Sequence, residues 1–133
     1  MPVRALVCDD DSPIRSMVRD LLENMGVEVL EATDGQQALS ILLREPLDLV
    51  VIDFLMPKVD GLQVLRAIRL GGPKPDIPVV LMSAISKAQI FPRTTAIRPD
   101  HYVNKPFRPK KLAKLLSRIV EGIGTPGPGS LGP

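Results

Sequence analysis

The sequence predicts an α/β fold in which five β-strands form one parallel sheet with helices on both faces, a doubly wound (βα)5 arrangement. Short apolar runs alternate with longer segments of helical period, and this alternation is typical of βαβ units. Two of the runs, Leu49-Val50-Val51-Ile52 and Val79-Val80-Leu81-Met82, are continuously apolar, as expected for strands that are covered on both faces. The chain of 133 residues is long enough for one such domain.

The strands are predicted at the short apolar runs: Arg4–Cys8, Glu28–Ala32, Leu49–Asp53, Val79–Ser83 and His101–Asn104. Between the first two runs, apolar residues recur from Ile14 to Met25 at intervals of one and three, which indicates an amphipathic helix. Ser12-Pro13 predicts its start, with Ser12 as the capping residue and proline at the first helical position. Gly26 predicts its end.

The second and third helices are predicted from the residues at their ends. Asp34 and Gln37 are spaced as a capping pair at the start of the second helix. The third helix follows Asp60-Gly61 and is expected to end at Leu70, because Gly71-Gly72-Pro73 cannot easily continue it.

The fourth helix is predicted to be short or irregular. Its place is Ser86–Ala96, and Pro92 in the middle of that window removes a backbone donor. The fifth helix is predicted over Lys111–Val120 from its apolar stripe. We therefore expect a folded domain over residues 1–121 and a flexible glycine- and proline-rich tail over 122–133.

Composition excludes several classes of protein. The longest uncharged apolar run spans about eight residues, whereas a membrane span needs about twenty. Arg4 and three aspartates by position 11 exclude a secretory signal peptide. The single cysteine, Cys8, cannot form an internal disulfide or a structural zinc site, and we interpret it as a core residue. We expect a cytoplasmic protein without a membrane partner.

Charge is distributed unevenly along the chain. Residues 1–60 carry a net charge of −7 and residues 61–133 a net charge of +9. The basic half could suggest nucleic acid, but the chain has four aromatic residues and no stacking motif around them. We therefore predict no nucleic-acid partner.

The candidate functional residues lie at the ends of the predicted strands. Asp9-Asp10-Asp11 follows the first strand, Asp53 ends the third, Ser83 the fourth, and Lys105 follows the fifth. Sites in open parallel sheets form beyond the carboxyl ends of the strands. Crowded carboxylates repel one another, and a hard divalent cation such as Mg²⁺ relieves that repulsion. One ionised carboxylate could then attack phosphorus, with Lys105 and the metal neutralising the phosphoryl oxygens and Ser83 donating a hydrogen bond.

Five segments at these positions resemble the receiver domain of two-component response regulators, a CheY-like family. The segments are Leu6-Val7-Cys8-Asp9-Asp10-Asp11, Val51-Ile52-Asp53-Phe54-Leu55-Met56-Pro57, Asp60-Gly61, Val80-Leu81-Met82-Ser83-Ala84 and Asn104-Lys105-Pro106-Phe107. The resemblance covers about residues 2–121. It implies a flavodoxin-like strand order 2-1-3-4-5.

The resemblance also implies roles for particular residues. Asp53 would accept a phosphoryl group from a phosphohistidine on a sensor histidine kinase or a phosphotransfer protein. Asp10, Asp53 and the backbone carbonyl of Leu55 would bind Mg²⁺, with Asp9 acting through a water molecule. Lys105 would contact the phosphoryl group and precede a cis proline.

A switch is implied as well. Ser83 would move toward the phosphoryl group, and Tyr102 would rotate inward into the vacated space, reshaping a protein-binding surface. The segment Phe91–Pro99 departs from the family pattern, which leaves that surface in question. Leu55 and Ile85 are apolar where many relatives carry polar residues, so we expect slow autodephosphorylation.

Two other functions stay open from the sequence. Asp9-x-Asp11 resembles the opening motif of haloacid-dehalogenase-type phosphatases, although a cap domain or further acidic motif is not evident. A receiver fold could also act as a structural interaction module without phosphate. The downstream partner is unidentified, and a homodimer is one open output.

Overall fold

The computed structural model describes residues 2–90 and 97–124. Strands and helices alternate along the chain: β1 (Arg4–Cys8), α1 (Ser12–Glu23), β2 (Glu28–Ala32), α2 (Gly35–Arg44), β3 (Leu49–Asp53), α3 (Gly61–Gly71), β4 (Val79–Ser83), α4 (Lys87–Ile90), β5 (His101–Asn104) and α5 (Pro109–Gly124). All five strands coincide with the apolar runs that predicted them.

The strands form one parallel sheet in the order β2-β1-β3-β4-β5, which confirms the predicted doubly wound fold. The register pairs Cys8 with Ile52, and Ser83 with Asn104. The residues that follow these positions therefore emerge at one edge of the sheet. The strand order reverses between β1 and β3, and this is where open α/β sheets form a crevice.

Two apolar layers cover the sheet. On one face, Leu6 and Ile52 pack with residues of α2 and α3, such as Ala38 and Leu65. On the other face, residues of β1 and β3 pack against α1 and α5, for example around Leu116. Every residue of β3 and β4 is buried, which is why these two strands have no polar alternation.

The start of α1 differs from the prediction. The capping residue is Asp11, whose carboxylate accepts a hydrogen bond from the Ile14 amide at 3.2 Å, and Ser12 already lies within the helix. Asp11 is extended, and an extended residue with a short acceptor caps a helix. Gly26 lies just beyond the helix with φ +82°, the left-handed conformation that favours glycine after a helix.

Asp34 caps α2 as predicted, and α3 has a cap of its own at Asp60. Asp34 accepts from the Gln37 amide at 2.9 Å. Asp60 and Gln63 form a reciprocal capping box, with hydrogen bonds of 2.8 and 2.9 Å. These caps fix the beginnings of both helices next to the edge where the strands end.

Helix α4 is short in the described residues, and helix α5 is longer than predicted. The described part of α4 is a single turn, whereas the predicted break at Pro92 lies outside the described residues, as does most of the predicted tail. Helix α5 begins two residues before the predicted Lys111, because Pro109 is well suited to a first helical turn, and it extends to Gly124. No helix among residues 2–90 and 97–124 is long and apolar enough to cross a membrane.

Candidate functional site

Three carboxylates converge at the carboxyl edge of the sheet. Asp9 and Asp10 follow β1 and Asp53 ends β3, and one oxygen from each lies within 4.8 Å of the others. Asp9 is fully buried and Asp53 is 6% exposed, whereas Asp10 faces solvent. The adjacency of β1 and β3 brings together residues that are more than forty positions apart in the chain.

Lys105 reaches this cluster from the loop after β5. Its Nζ lies 2.9 Å from Oδ2 of Asp9 and 3.1 Å from Oδ1 of Asp53. Its backbone amide donates to the Ser83 carbonyl at 2.7 Å, which extends the β4–β5 pairing and aims the side chain across the sheet edge. The Lys105–Pro106 peptide bond is cis, as the family resemblance implies.

One ammonium group does not balance three carboxylates. Burial and the charge of Asp9 raise the pKa of Asp53 to about 6, although Lys105 opposes that rise. Burial alone would lower the pKa of Lys105, but its hydrogen bonds to Asp9 and Asp53 outweigh burial and raise it. The cluster therefore carries an excess of negative charge, and a bound cation would stabilise it.

The donor set fits a hard divalent cation. Magnesium and calcium prefer carboxylate and carbonyl oxygens, which Asp9, Asp10 and Asp53 supply at one place. Both oxygens of Asp9 are already engaged, because Oδ1 accepts from the Asp11 amide at 2.9 Å and Oδ2 from Lys105. Asp10 and Asp53 are therefore better placed than Asp9 to contact an ion directly.

Ser83 lies at the same edge, at the end of β4. It is 1% exposed, and its Oγ accepts a hydrogen bond from the Ile85 amide at 2.9 Å. This bond closes a tight turn at the beginning of the β4–α4 loop. The hydroxyl is thus tied to the loop that the switch hypothesis requires to move.

Tyr102 contacts the same loop from β5. Its ring is half-buried against the α2–α3 side of the sheet, and its hydroxyl donates to the Ile85 carbonyl at 2.9 Å. Burial raises the pKa of Tyr102, and a hydrogen bond with Ser83 opposes that rise. The two predicted switch residues and the loop between β4 and α4 therefore form one contact network.

Sequence reasoning missed two polar residues near the site. Asn104 donates to the Ile85 carbonyl at 3.2 Å, and Arg15 donates to the backbone carbonyl of Asp9 at 2.8 Å. The signal for Asn104 was available, because a residue two positions after Tyr102 lies on the same face of the strand. Arg15 gave no such signal, since its position on α1 also suits a solvated arginine.

The β3–α3 loop is held close to the end of β3. The Gly61 amide donates to the Phe54 carbonyl at 2.8 Å, and a Cβ at position 61 would collide with the backbone oxygen of Asp53. Leu55, in this loop, is 54% exposed and contributes no polar group from its side chain beside the acidic cluster. The geometry of the site thus depends on a glycine at the first position of α3.

Cys8 lies beneath the cluster but takes no part in its chemistry. The thiol is buried, 3.2 Å from the Met56 sulfur, and burial raises its pKa to about 12. A thiol with such a pKa is protonated at neutral pH and a poor nucleophile. This supports its interpretation as a core residue.

Two of the grooves on the described surface differ in size, and the larger of this pair lies at the opposite edge of the sheet. It has a volume of about 890 Å³ and an apolar lining that includes Leu39, Leu43, Leu70 and Ile77. No member of the acidic cluster contributes to it. The smaller groove, of about 610 Å³, is bordered by Tyr102, Phe107, Lys111 and Leu115.

A doubly wound sheet with a carboxylate cluster and a lysine at its switch point defines an α/β domain whose candidate site has the ligand chemistry of a cation site. Residues 5–117 match the response regulator receiver domain, and the chain belongs to that family, the receivers of two-component systems. The match runs from the second residue of β1 through β5 and ends within α5.

Relatives and solved structures agree with this assignment. The chain is 35% identical to a probable transcriptional regulator, ycf27, of Porphyridium aerugineum, over 90% of this chain and 49% of the relative. It is 31% identical to the phosphate regulon regulatory protein PhoB of Pseudomonas aeruginosa, over 90% of this chain and 52% of PhoB. It thus spans about half the length of these curated relatives. Among solved structures, chemotaxis protein CheY4 of Vibrio cholerae superposes with a TM-score of 0.81 at 28% identity, over 90% of this chain and 99% of CheY4.

Proposed function

We propose that Asp53 accepts a phosphoryl group from a phosphohistidine of a sensor histidine kinase or a phosphotransfer protein. A carboxylate oxygen of Asp53 attacks phosphorus, the P–N bond to the histidine breaks, and the imidazole nitrogen leaves with the bonding electron pair. The observation that carries the proposal is the position of Asp53, 3.1 Å from Lys105 and within 4.8 Å of two further carboxylates. Lys105 is placed to contact the transferred group.

The same proposal assigns the acidic cluster to Mg²⁺. Asp10, Asp53 and the backbone carbonyl of Leu55 would hold the ion, and Asp9 would act through a water molecule because Lys105 and the Asp11 amide occupy its oxygens. When bound, Mg²⁺ supplies charge neutralisation for the phosphoryl oxygens. The residues themselves orient the acceptor and keep its carboxylate at the buried end of β3.

The signalling output would be a change in the shape of a protein-binding surface. Ser83 would turn toward the phosphoryl group, drawing the β4–α4 loop inward, with Tyr102 occupying the space behind it. The groove of about 610 Å³ beside Tyr102 is the surface that such a movement would alter. We infer a protein partner or a second copy of this chain as the reader of that change. The receiver, expected over residues 1–121, would extend to the end of α5 at Gly124, with 125–133 as a tail, in the cytoplasm.

Intact-mass analysis tests the proposal. The protein is incubated with acetyl phosphate or phosphoramidate, with and without Mg²⁺, beside an Asp53→Asn variant. We expect one added phosphoryl group in the wild type with Mg²⁺, and none in the variant or without the metal. Steady release of phosphate without an adduct would indicate a phosphatase instead. No adduct and no turnover, in protein that is folded, would contradict the proposal and favour a phosphate-independent interaction module.

A further inference from the structure

The backbone of Ile85, in the loop between β4 and α4, is held by side chains at both its N–H and its carbonyl group. Its N–H donates to Oγ of Ser83 at 2.9 Å. Its carbonyl accepts two hydrogen bonds, from the Tyr102 hydroxyl at 2.9 Å and from Nδ2 of Asn104 at 3.2 Å. A carbonyl oxygen has two lone pairs, so these donors occupy its full accepting capacity.

The two donors are placed by the pleat of β5. Tyr102 and Asn104 are two positions apart, so their side chains lie on the same face of the strand. Asn104 also pairs in register with Ser83, the residue that binds the Ile85 N–H. Ser83, Tyr102 and Asn104 therefore hold the backbone of one residue, although they come from two different strands.

We propose that Asn104 is a positioning residue that fixes the Ile85 carbonyl where the Tyr102 hydroxyl binds it, and so favours the inward position of Tyr102. The regulatory meaning rests on the proposed function, in which Tyr102 is a switch residue. The contact itself does not depend on phosphorylation. Asn104 would then set how much of the population holds Tyr102 inward before any signal arrives.

The expected change in the exposure of Tyr102 follows from the strength of one hydrogen bond. A typical intramolecular hydrogen bond shifts a two-state equilibrium by about twofold to tenfold. Without the amide, the Ile85 carbonyl loses one of its two side-chain restraints, and the Tyr102 ring spends more time exposed to water. An exposed side chain at position 104 can be changed without opening the core.

The composition of the chain makes the measurement direct. Tyr102 is the only tyrosine and the chain has no tryptophan, so tyrosine emission reports on this side chain alone. We would measure acrylamide quenching of the full chain, without a phosphodonor, for the wild type, Asn104→Leu and Asn104→Ala. Asn24→Leu is the matched control, because Asn24 is also exposed and follows α1 at the opposite edge of the sheet. Far-ultraviolet circular dichroism and urea unfolding would verify that each variant is folded.

We expect the quenching constant to rise about twofold in both Asn104 variants and to stay at the wild-type value in Asn24→Leu. A merely structural role for Asn104 would lower stability without changing quenching of the folded protein. Wild-type quenching in both Asn104 variants would overturn the proposal.

The same samples, treated with phosphoramidate and Mg²⁺ and weighed by mass spectrometry, keep the two proposals distinguishable. A failure of Asp53 to accept phosphate would leave the quenching difference intact, and would count against the proposed function alone. Normal phosphorylation with unchanged quenching would count against the role of Asn104 alone.

Discussion

The side chain of Lys105 brings a positive charge to two carboxylates that burial would otherwise disfavour. Its ammonium group contacts Asp9, which has no exposed surface, and Asp53, which has very little. Transfer of an ionised carboxylate out of water is costly unless it is paired. At the scale of the residue, Lys105 therefore stabilises the buried carboxylates in addition to its proposed contact with the phosphoryl group.

Replacing Lys105 by methionine should destabilise the protein. We expect the free energy of unfolding to fall by about 2–3 kcal/mol, less than the 3–5 kcal/mol typical of a fully buried pair, because the cluster reaches solvent through Asp10. Urea denaturation without divalent cations measures this. Lys58→Met is the control, since its ion pair with Asp34 is long, 3.9 Å, and the Lys58 side chain is 61% exposed. Equal losses in both variants would contradict the special role of Lys105.

Leu55 should lengthen the life of the phosphorylated state. Its exposed apolar side chain offers no hydrogen bond to a water molecule that would attack the acyl phosphate. In Leu55→Asn we expect the adduct on Asp53 to decay several-fold faster, as followed by intact mass after removal of the phosphodonor. Ile85→Asn should act in the same direction. An unchanged lifetime in both variants would contradict the prediction.

At the scale of elements, the loop from β3 into α3 positions the site. Helix α3 begins at a glycine packed against the backbone of Asp53, and the Asp60–Gln63 capping box fixes where its first turn starts. The start of α3 after Asp60-Gly61 was predicted from the sequence, and the capping box that fixes it depends on residues only three positions apart. The close approach of Gly61 to β3 was not, because it depends on how α3 packs on the sheet.

Gly61→Ala should therefore disturb both stability and the acceptor. Its Cβ would meet the Asp53 backbone oxygen, with Phe54 Cα and Leu81 Cδ1 each 3.0 Å away. We expect a loss of about 1–3 kcal/mol, as for other overpacked sites, and slower phosphorylation of Asp53. Gly71→Ala is the matched control at the other end of α3, where a Cβ has open space. There alanine should stabilise the protein by about 0.5–1 kcal/mol, because the unfolded chain has less backbone conformational entropy with alanine than with glycine. Thermal unfolding that ranked the two variants in the reverse order would contradict the close packing of Gly61 on β3.

At the scale of the whole molecule, the sheet collects negative charge at one edge. The carboxylates lie at the ends of two strands and Lys105 in the loop after a third, so the folded chain holds together charges that the unfolded chain separates. A cation that binds this edge binds the folded state and not the unfolded one. Binding of this kind stabilises a protein in proportion to the logarithm of the ligand concentration.

Magnesium should raise the melting temperature. At tenfold the dissociation constant we expect about 1.4 kcal/mol of stabilisation, or about 5 °C for a domain of this size, in differential scanning fluorimetry at constant ionic strength. Asp10→Asn should abolish most of this shift and should raise the melting temperature of the metal-free protein, because it removes one of the repelling charges. Asp11→Asn should behave as the wild type, since asparagine also caps a helix well. A full magnesium shift in Asp10→Asn would place the ion elsewhere.

The sequence by itself determined the strands, the starts of α2 and α3, the doubly wound class and the identity of the acidic cluster and Lys105. It could do so because buried parallel strands read as continuous apolar runs and because caps depend on residues a few positions apart. Asp11 rather than Ser12 caps α1, because backbone conformation selects between two neighbouring side chains that could each do so. Only the tertiary structure decided that both oxygens of Asp9 are occupied, that Gly61 packs on the backbone of Asp53, and that Tyr102 and Asn104 share the Ile85 carbonyl. These contacts join residues from different elements, and their distances are set by the packing of helices and strands on one another.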